Sequence, residues 1–279
     1  MSQPAMPSRR RTALRQLWPV GLALAALLLL IGYALLQGGV LGRDRLWERI
    51  QTDGVWRVGI DASFPPFDGL DAAGQPVGFD VDLARAIAAR WGVQVHFEGI
   101  GFDGLVDAVF AGRIDAAVSA LPYQPERTQE VAFSESYFEA GLMLVLPAAQ
   151  ADTVTLNDLA GRRVAVEWGS EGDVQARLLR RRWPDLAIQP LDTPQAALLA
   201  VAEGQADAAL VDHISALQFM AADSRVGIAP QVVVSDPYTI VLPRKSPRLQ
   251  DEVDAALRAL KADGTLDALA ERWLGSSSE

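Results

Sequence analysis

Two related stretches of sequence constrain what this chain can fold into. They read LVDAVFAGRIDAAVSA from Leu105 and ALLAVAEGQADAALVD from Ala197. Each has a helical pattern that ends at a glycine and is followed by an Asp and a buried strand. Such units are typical of α/β folds. We therefore predict an α/β fold with two lobes of similar design, in which the carboxyl ends of the strands face a crevice where ligands bind.

The segments around the first copy fit this reading. Residues 55–60 and 93–97 have the composition of strands, and residues 79–91 place apolar side chains on one stripe at helical spacing. Within the copy itself we expect a helix over 105–111 and a strand over 114–121.

The amino-terminal region predicts export. Residues 17–36 contain no charge and follow a basic segment, 1–16. About 20 apolar residues span a bilayer core, and a positive flank stays in the cytoplasm. Residues 37–50 are expected to form a linker without a convincing cleavage site. We favour an uncleaved membrane anchor, with a cleaved signal and a secreted product as the alternative.

Composition excludes several classes of function. The chain of 279 residues has no cysteine and only two histidines, His96 and His213, which excludes thiolate metal sites and His-rich motifs. We treat both histidines as structural. Residues 1–49 hold seven of the 25 basic residues and two of the 35 acidic ones, which leaves the remainder near −15. Such a surface does not bind nucleic acid.

One glycine motif suggests a nucleotide site that the sequence does not support. Residues 99–104 read G-x-G-x-x-G between a strand and a helix. However, Asp103 would lie beside the pyrophosphate, and the next strand ends at Leu121 without an acid for the ribose. We therefore expect no cofactor and no metal.

Several motifs in order resemble one family over about residues 55–275. They are GFDVDL at 78–83, FDGL at 102–105 with GRIDA at 112–116, a P-E-R-x-x-x-V-x-F-S-x-x-Y pattern at 125–137, and KADGT at 261–265 with Trp273 and Gly275. Together these resemble the family 3, amino-acid-binding solute-binding proteins of bacterial ABC transporters. The resemblance implies the two-lobed type II periplasmic-binding-protein fold over residues 51–279, with mixed sheets flanked by helices.

In that family the second lobe is inserted into the first. The resemblance places lobe I at residues 51–140 and 239–279 and lobe II at residues 141–238. The two crossing strands would lie near residues 139–143 and 239–241, and the lobes would close on ligand about this hinge.

An amino acid carries a carboxylate and an ammonium on one carbon, and both need a partner when buried. Arg127 is the candidate for the carboxylate, because a guanidinium offers two parallel donors; the alternative is an Arg salt-bridged on a surface loop. By resemblance, Ser170 and Glu171 complete the carboxylate site at a helix start. Glu171 departs from the hydroxyl residue of the family, so we assign only its backbone N–H, and its side chain is expected to point away.

By resemblance, Asp212 pairs with the ligand ammonium beside the carbonyl of Ser119. The alternative role of Asp212 is to cap the helix that follows it. Pro122 stands where relatives carry a hydroxyl that also touches the ammonium. That contact is lost here, so the ligand ammonium depends more on Asp212.

Four further residues are candidates for the side-chain pocket. Asp61 and Phe64 match the acid and the stacking aromatic of the family, and Glu167 and Trp168 match positions that line the same pocket. Two acids suit a cationic ligand such as arginine, lysine or histidine, and an aromatic ring can stack on a guanidinium. Glutamine receptors can also carry Asp and Phe at the first two positions.

The resemblance implies a monomeric receptor on the outer face of the bacterial cytoplasmic membrane. It would capture a polar or cationic amino acid and deliver it to an ABC permease, without catalysis. Two alternatives remain open. One is a periplasmic dehydratase of the same fold that acts on arogenate or prephenate, with Glu167 or Glu171 as acid or base. The other is the ligand-sensing subunit of a signalling system.

Overall fold

The structure is a computed structural model that describes residues 44–275. The predicted basic segment, the membrane segment and residues 37–43 of the predicted linker lie outside the described residues. Residues 45–50 were predicted to belong to the linker, but they form the first part of helix α1 (Arg45–Asp53). Ile50 is fully buried, and Leu46 and Trp47 pack against the same core. The charged residues between these positions concealed the helical period.

The first sheet has the strand order β4-β1-β5-β14-β6. Its strands are β1 (Val55–Ile60), β4 (Gln94–Gly99), β5 (Ala116–Ala117), β6 (Val131–Phe133) and β14 (Val241–Pro243). The first three are parallel, and β14 and β6 add antiparallel pairs. Its helices are α2 (Phe79–Trp91), α3 (Phe102–Phe110), α7 (Pro247–Ala262) and α8 (Thr265–Leu274). A short hairpin, β2 (Gly69–Leu70) with β3 (Pro76–Val77), precedes α2.

Strand β5 is much shorter than the expected strand over 114–121. The carboxylate of Asp115, just before it, is buried and accepts hydrogen bonds from the backbone and the guanidinium of Arg57. Ala120, three residues after the end of β5, has φ of 46°, which lies outside the β region. The chain therefore turns out of the extended conformation at Ala120, inside the range predicted for the strand.

The second sheet repeats this arrangement with the order β10-β9-β11-β8-β12. Its strands are β8 (Leu142–Pro147), β9 (Arg163–Glu167), β10 (Ala187–Leu191), β11 (Ala208–Asp212) and β12 (Val226–Val234). The helices are α4 (Glu171–Arg182), α5 (Pro194–Ala202) and α6 (His213–Ala222), with short 3₁₀ turns at Ala148–Gln150 and Leu156–Asp158. Strands β10, β9 and β11 are parallel, and β8 and β12 are antiparallel additions.

The two related stretches occupy equivalent places in the two sheets. The first forms α3 and β5, and the second forms α5 and β11. Each thus supplies the third strand in its sheet order. The predicted α/β fold with two lobes and mixed sheets is confirmed.

The chain passes between the two sheets at one place. Strand β7 (Phe138–Glu139) leads into β8, and β13 (Pro237–Tyr238) leads back toward β14; the two pair antiparallel with each other. One predicted crossing includes Glu139, and Thr239, where the other was predicted to begin, directly follows β13. Pro122 bridges to Tyr238, so the turn after β5 is tied to this hinge.

Within residues 44–275, none of the helices combines the length and the apolar character that crossing a membrane requires.

Candidate functional site

The predicted ligand residues follow the carboxyl ends of parallel strands. Asp61 follows β1 and Ser119 follows β5, whereas Glu167 and Asp212 end β9 and β11. Because neighbouring parallel strands end at the same sheet edge, each sheet gathers its own group of polar side chains. The candidate site therefore has two faces, one from each lobe.

On the first face, Asp61 and Ser119 are fixed by hydrogen bonds. The Ser119 hydroxyl accepts from the Asp61 amide at 2.9 Å. The Asp61 carboxylate accepts from the Ser63 hydroxyl at 2.8 Å and from the Phe102 amide, at the start of α3, at 2.8 Å. These bonds hold the carboxylate between the loop after β1 and helix α3.

Two aromatic rings near Asp61 are exposed. Phe64 is 46% exposed and stacks on buried Phe67, with 5.8 Å between ring centroids. Phe102 is 43% exposed, and its amide is the one that binds Asp61. Sequence reasoning missed Phe102 because an aromatic residue at the start of a helix usually joins the core. The signal was its place directly after a strand end and a glycine, where parallel strands present ligand-facing groups.

On the second face, four of the predicted residues share one small open pocket of about 70 Å³: Glu167, Ser170, Glu171 and Asp212. Ser170 caps α4, since its hydroxyl accepts from the Asp173 amide at 3.3 Å and donates to the Glu167 carbonyl at 2.8 Å. A Cβ on Gly172 would lie 2.2 Å from the Leu210 carbonyl oxygen. Only glycine therefore lets the start of α4 approach β11 this closely.

Asp212 takes the capping role that was its alternative assignment. Its Oδ1 accepts from the Ser215 amide at 2.8 Å, at the start of α6. Within the part of the chain that the structure describes, its Oδ2 has no hydrogen-bond partner. The side chain is exposed and lines the pocket. One oxygen thus caps a helix while the other faces the place a ligand would occupy.

Glu171 and Asp212 also line a second pocket that reaches the hinge and includes Asp236. Burial, followed by the charge of Glu139, raises the pKa of Asp236. The Glu171 side chain accepts from Gln175 at 2.7 Å. The carboxylate therefore leans along α4, although the residue still borders both pockets.

Arg127 lies in a 3₁₀ turn, Pro125–Arg127, and its side chain is 28% exposed. Its Nη2 lies 2.6 Å from Asp107 Oδ1 and 2.6 Å from Glu130 Oε2. Hydrogen bonds to these two carboxylates raise the pKa of Arg127. Nη1 makes no hydrogen bond to any residue of the described chain. The surface salt bridge that was the alternative for Arg127 is thus present in this structure.

The structure does not bring every predicted residue into the two pockets. Trp168 is 73% exposed and lines neither of them. Asp61, Phe64, Ser119 and Arg127 also lie outside both linings, on or near the first face. The two pockets belong to the second face alone.

The histidines have structural positions. His213 Nδ1 contacts the Glu139 carbonyl, and its ring stacks on Phe138 with 5.3 Å between centroids. His96 lies on β4, an edge strand. Among the described residues, no group of three or more His, Asp or Glu side chains is arranged to hold a metal ion.

Two α/β lobes with polar strand ends and a paired-strand hinge define a ligand-binding protein of the two-lobed solute-receptor class. Residues 56–276 match the family model for bacterial extracellular solute-binding proteins, family 3. The chain belongs to this family, which makes it an extracytoplasmic binding protein and not an enzyme.

The individual relatives include two amino-acid-binding proteins and one enzyme of the same fold. The chain is 27% identical over 221 residues to the Escherichia coli ABC transporter arginine-binding protein 1, with 77% of this chain and 88% of that protein covered. It is similar to the unliganded open L-cystine solute receptor of Neisseria gonorrhoeae, at 26% identity and a TM-score of 0.71, over 83% of this chain and 97% of that one. An ancestral cyclohexadienyl dehydratase is similar too, at 27% identity and a TM-score of 0.71, over 84% and 98%.

Proposed function

We propose that the protein captures a cationic L-amino acid, arginine or lysine, between its two lobes and delivers it to an ABC importer. The observation that carries the proposal is the pocket on the second face. Three acidic residues line it, Glu167, Glu171 and Asp212, and no Arg or Lys of the described chain does, although the Glu171 carboxylate itself leans toward Gln175. A buried cation needs carboxylate partners, so this lining selects for positive charge.

The first face supplies complementary groups. Phe64 and Phe102 present exposed rings beside Asp61, and an aromatic face attracts a guanidinium or ammonium. Arg127 is assigned to the ligand carboxylate, through the Nη1 group that its own carboxylate partners leave available. Each end of an amino acid would then have a partner of opposite charge.

Closure about the hinge would join the two faces. The lobes are connected by β7 and β13, a paired segment of two residues on each strand. Rotation at such strands closes two-lobed receptors on their ligand. Asp212 and Ser170 would then contact the ammonium and the carboxylate from one side, while Asp61 and Arg127 act from the other.

The relatives support a cationic amino acid as ligand. One is an arginine-binding protein of an ABC transporter. The cystine receptor has a ligand with two ammonium and two carboxylate groups, so the amino-acid head group is common to both. Because Asp212 is assigned to the ammonium that all amino acids carry, the acids left for a cationic side chain are Glu167 on the second face and Asp61 on the first.

We also propose that residues 17–36 anchor a monomeric receptor in the cytoplasmic membrane, on its outer face. The support is the uncharged run itself and the basic segment before it. An anchored receptor would stay close to its permease, whereas a cleaved one would diffuse.

A thermal-shift screen of the twenty amino acids against the full chain in detergent tests the proposed ligand. A ligand that binds only the folded state raises the melting temperature. We expect arginine and lysine to give the largest shifts. Shifts from acidic amino acids alone would overturn the proposal.

A further inference from the structure

Two carboxylic acids lie fully buried beneath the first face. Asp68 ends the loop that carries Asp61 and Phe64, and Asp80 lies in the first turn of α2; both have no exposed surface. The Asp80 amide donates to the Phe67 carbonyl at 3.0 Å, which brings the loop and the helix side by side. Neither acid belongs to the ligand residues described above.

Each acid holds one residue of the turn after β5. The Ser119 hydroxyl donates to Asp68 Oδ2 at 2.7 Å, and the Ala120 amide donates to Asp80 Oδ2. Ala120 has a positive φ, a conformation that costs energy for a residue with a Cβ atom. The two acids therefore stabilise a turn whose backbone conformation at Ala120 is unfavourable by itself. Ser119 connects the acids to the Asp61 loop, because its hydroxyl also accepts a hydrogen bond from the Asp61 amide.

The remaining oxygen of each acid has no partner. Oδ1 of Asp68 and Oδ1 of Asp80 are buried and accept no hydrogen bond from any described residue. The two carboxyl groups lie side by side, because they bind the adjacent residues Ser119 and Ala120 and because the Asp80 amide binds the Phe67 carbonyl, next to Asp68. A buried acceptor left unpaired is costly, and two adjacent buried carboxylates repel. A single proton between the two groups removes both penalties.

The surroundings offer the pair no compensating cation. The titratable groups that act on it from the described elements are Asp61 in the same loop, Tyr137 before β7, and Tyr238 in β13. Burial, and for Asp68 also the charge of Asp80, raises the pKa of both acids. Burial and both acids raise the pKa of Tyr137, so its hydroxyl remains neutral. This hydroxyl is also buried without a partner among the described residues, and as a donor to Asp80 it partly opposes the rise in the pKa of that acid.

We propose that Asp68 and Asp80 share one proton at neutral pH and act as positioning residues that, through Ser119, hold the Asp61 loop in its ligand-binding form. When the proton leaves in alkaline solution, two neighbouring buried anions remain. The loop and the turn must then move apart or admit water, and the first face loses its arrangement. Ligand affinity falls as a result. This last consequence rests on the proposed function, since it assumes that the first face binds ligand.

Asp68→Asn is the sharpest variant. The amide has the shape of a protonated carboxyl group, accepts from Ser119, donates to Asp80 and does not titrate. Calorimetry with L-arginine on the full chain, from about pH 6 to about pH 10, compares it with the wild type at each pH, so the ionisation of arginine cancels. Asp267→Asn, an exposed acid in the first turn of α8, is the matched control.

We expect the wild type and the control to lose affinity above the pKa of the pair by up to about tenfold per pH unit relative to Asp68→Asn. Asp80→Asn, which can accept from Ala120 and donate to Asp68, should behave like Asp68→Asn and serves if that variant does not fold. An identical pH profile for the wild type and a folded Asn variant would overturn the proposal.

A ligand-free measurement separates this inference from the proposed function. The NMR shift of the Asp61 amide reports its bond to Ser119. It should change with pH between neutral and alkaline solution in the wild type, and stay constant in Asp68→Asn. If arginine binds at no pH but the Asp61 shift behaves as expected, the ligand assignment fails and the positioning role stands. A wild-type shift that does not respond overturns the positioning role, whatever the ligand.

Discussion

Arg127 and Asp107 form an ion pair, with Nη2 of the guanidinium 2.6 Å from Oδ1 of the carboxylate. Glu130 binds the same guanidinium at 2.6 Å. The cation proposed to receive the ligand carboxylate is therefore already shared by two anions of its own chain. A ligand carboxylate must join or displace them.

Removing one of these anions should strengthen ligand binding. In Asp107→Asn the positive potential at Arg127 increases, and we expect L-arginine to bind about two- to fivefold more tightly, the size of an exposed ion pair. Calorimetry at low and high salt measures the effect, which should shrink as salt rises. Asp103→Asn, on the same helix but outside the pair, is the control. Weaker binding in Asp107→Asn would instead mean that Asp107 orients the guanidinium.

Replacing the guanidinium should have the opposite effect. Arg127→Lys exchanges a planar fork of donors for a point charge, and we expect amino-acid binding to weaken by about 2 kcal/mol or more. Arg163→Lys is a suitable control, because Arg163 also makes a two-bond contact with a carboxylate, Asp207, at the surface. Unchanged affinity in Arg127→Lys would refute the carboxylate assignment.

The acids of the side-chain pocket should discriminate between ligands by charge. Asp61→Asn combined with Glu167→Gln removes two negative charges while keeping the side-chain shapes. We expect arginine and lysine to lose at least about tenfold more affinity than glutamine, since close charge pairs at binding sites contribute more than about 1.5 kcal/mol. Competition binding measures all three ligands, with Glu203→Gln as a remote control. Equal losses for arginine and glutamine would show that these acids do not face the ligand side chain.

The buried acids should also make stability depend on pH. Below an ordinary carboxyl pKa of about 4, both the folded and the unfolded chain keep the protons of Asp68 and Asp80. As pH rises toward the raised pKa values of the folded protein, only the unfolded chain releases them. The free energy of unfolding then falls by up to about 1.4 kcal/mol per pH unit for each proton retained. Thermal unfolding between about pH 5 and pH 8 measures this fall.

In Asp68→Asn one of these protons is gone, so the fall should be shallower than in the wild type. Asp267→Asn should follow the wild type. A wild-type stability that increases steadily from pH 5 to pH 8, with the same slope in Asp68→Asn, contradicts the raised pKa values.

The proposed anchor predicts how the full-length chain fractionates. Hydrophobic insertion resists salt, whereas peripheral electrostatic attachment does not, so the chain should stay with membranes after a high-salt wash. A variant that lacks residues 17–36 serves as the comparison. A soluble product that begins near residue 40 would show that the segment is a cleaved signal.

Most of the fold could be predicted from local sequence patterns. The glycine-ended helices and the strands that follow them could be read because their signals lie within a few residues of each other, and α2 matches its prediction at Phe79–Trp91. Helix α1 could not be predicted, because charged residues lie between the apolar residues that pack on the core. The end of β5 was also missed, because no local pattern indicates the positive φ of Ala120 inside the range predicted for this strand.

The candidate site could be predicted only in part, because some of its contacts join residues that are far apart in the chain. Asp212 and Ser170 were predicted from the family resemblance, and both line the pocket on the second face; their contact with a ligand stays a prediction. Nothing in the sequence indicates that Asp107 meets Arg127, since an exposed acid on a helix is the common case. The Asp68–Asp80 pair is equally hidden, because acidic residues are expected at the surface and only the tertiary fold brings the loop against α2.

Strands β7 and β13 lie side by side, so the long segment between them leaves and rejoins the rest of the chain at a single point. The α1 and α8 helices at the two ends of the described chain both pack on the core of the first sheet. That whole segment could therefore be exchanged as a cassette if Ile214 and Leu217 of α6, which pack against the core of the first sheet, kept their contacts. A chimaera grafted at these two strands would take one face of the candidate site from each parent, so that new specificities could arise by recombination and not only by substitution.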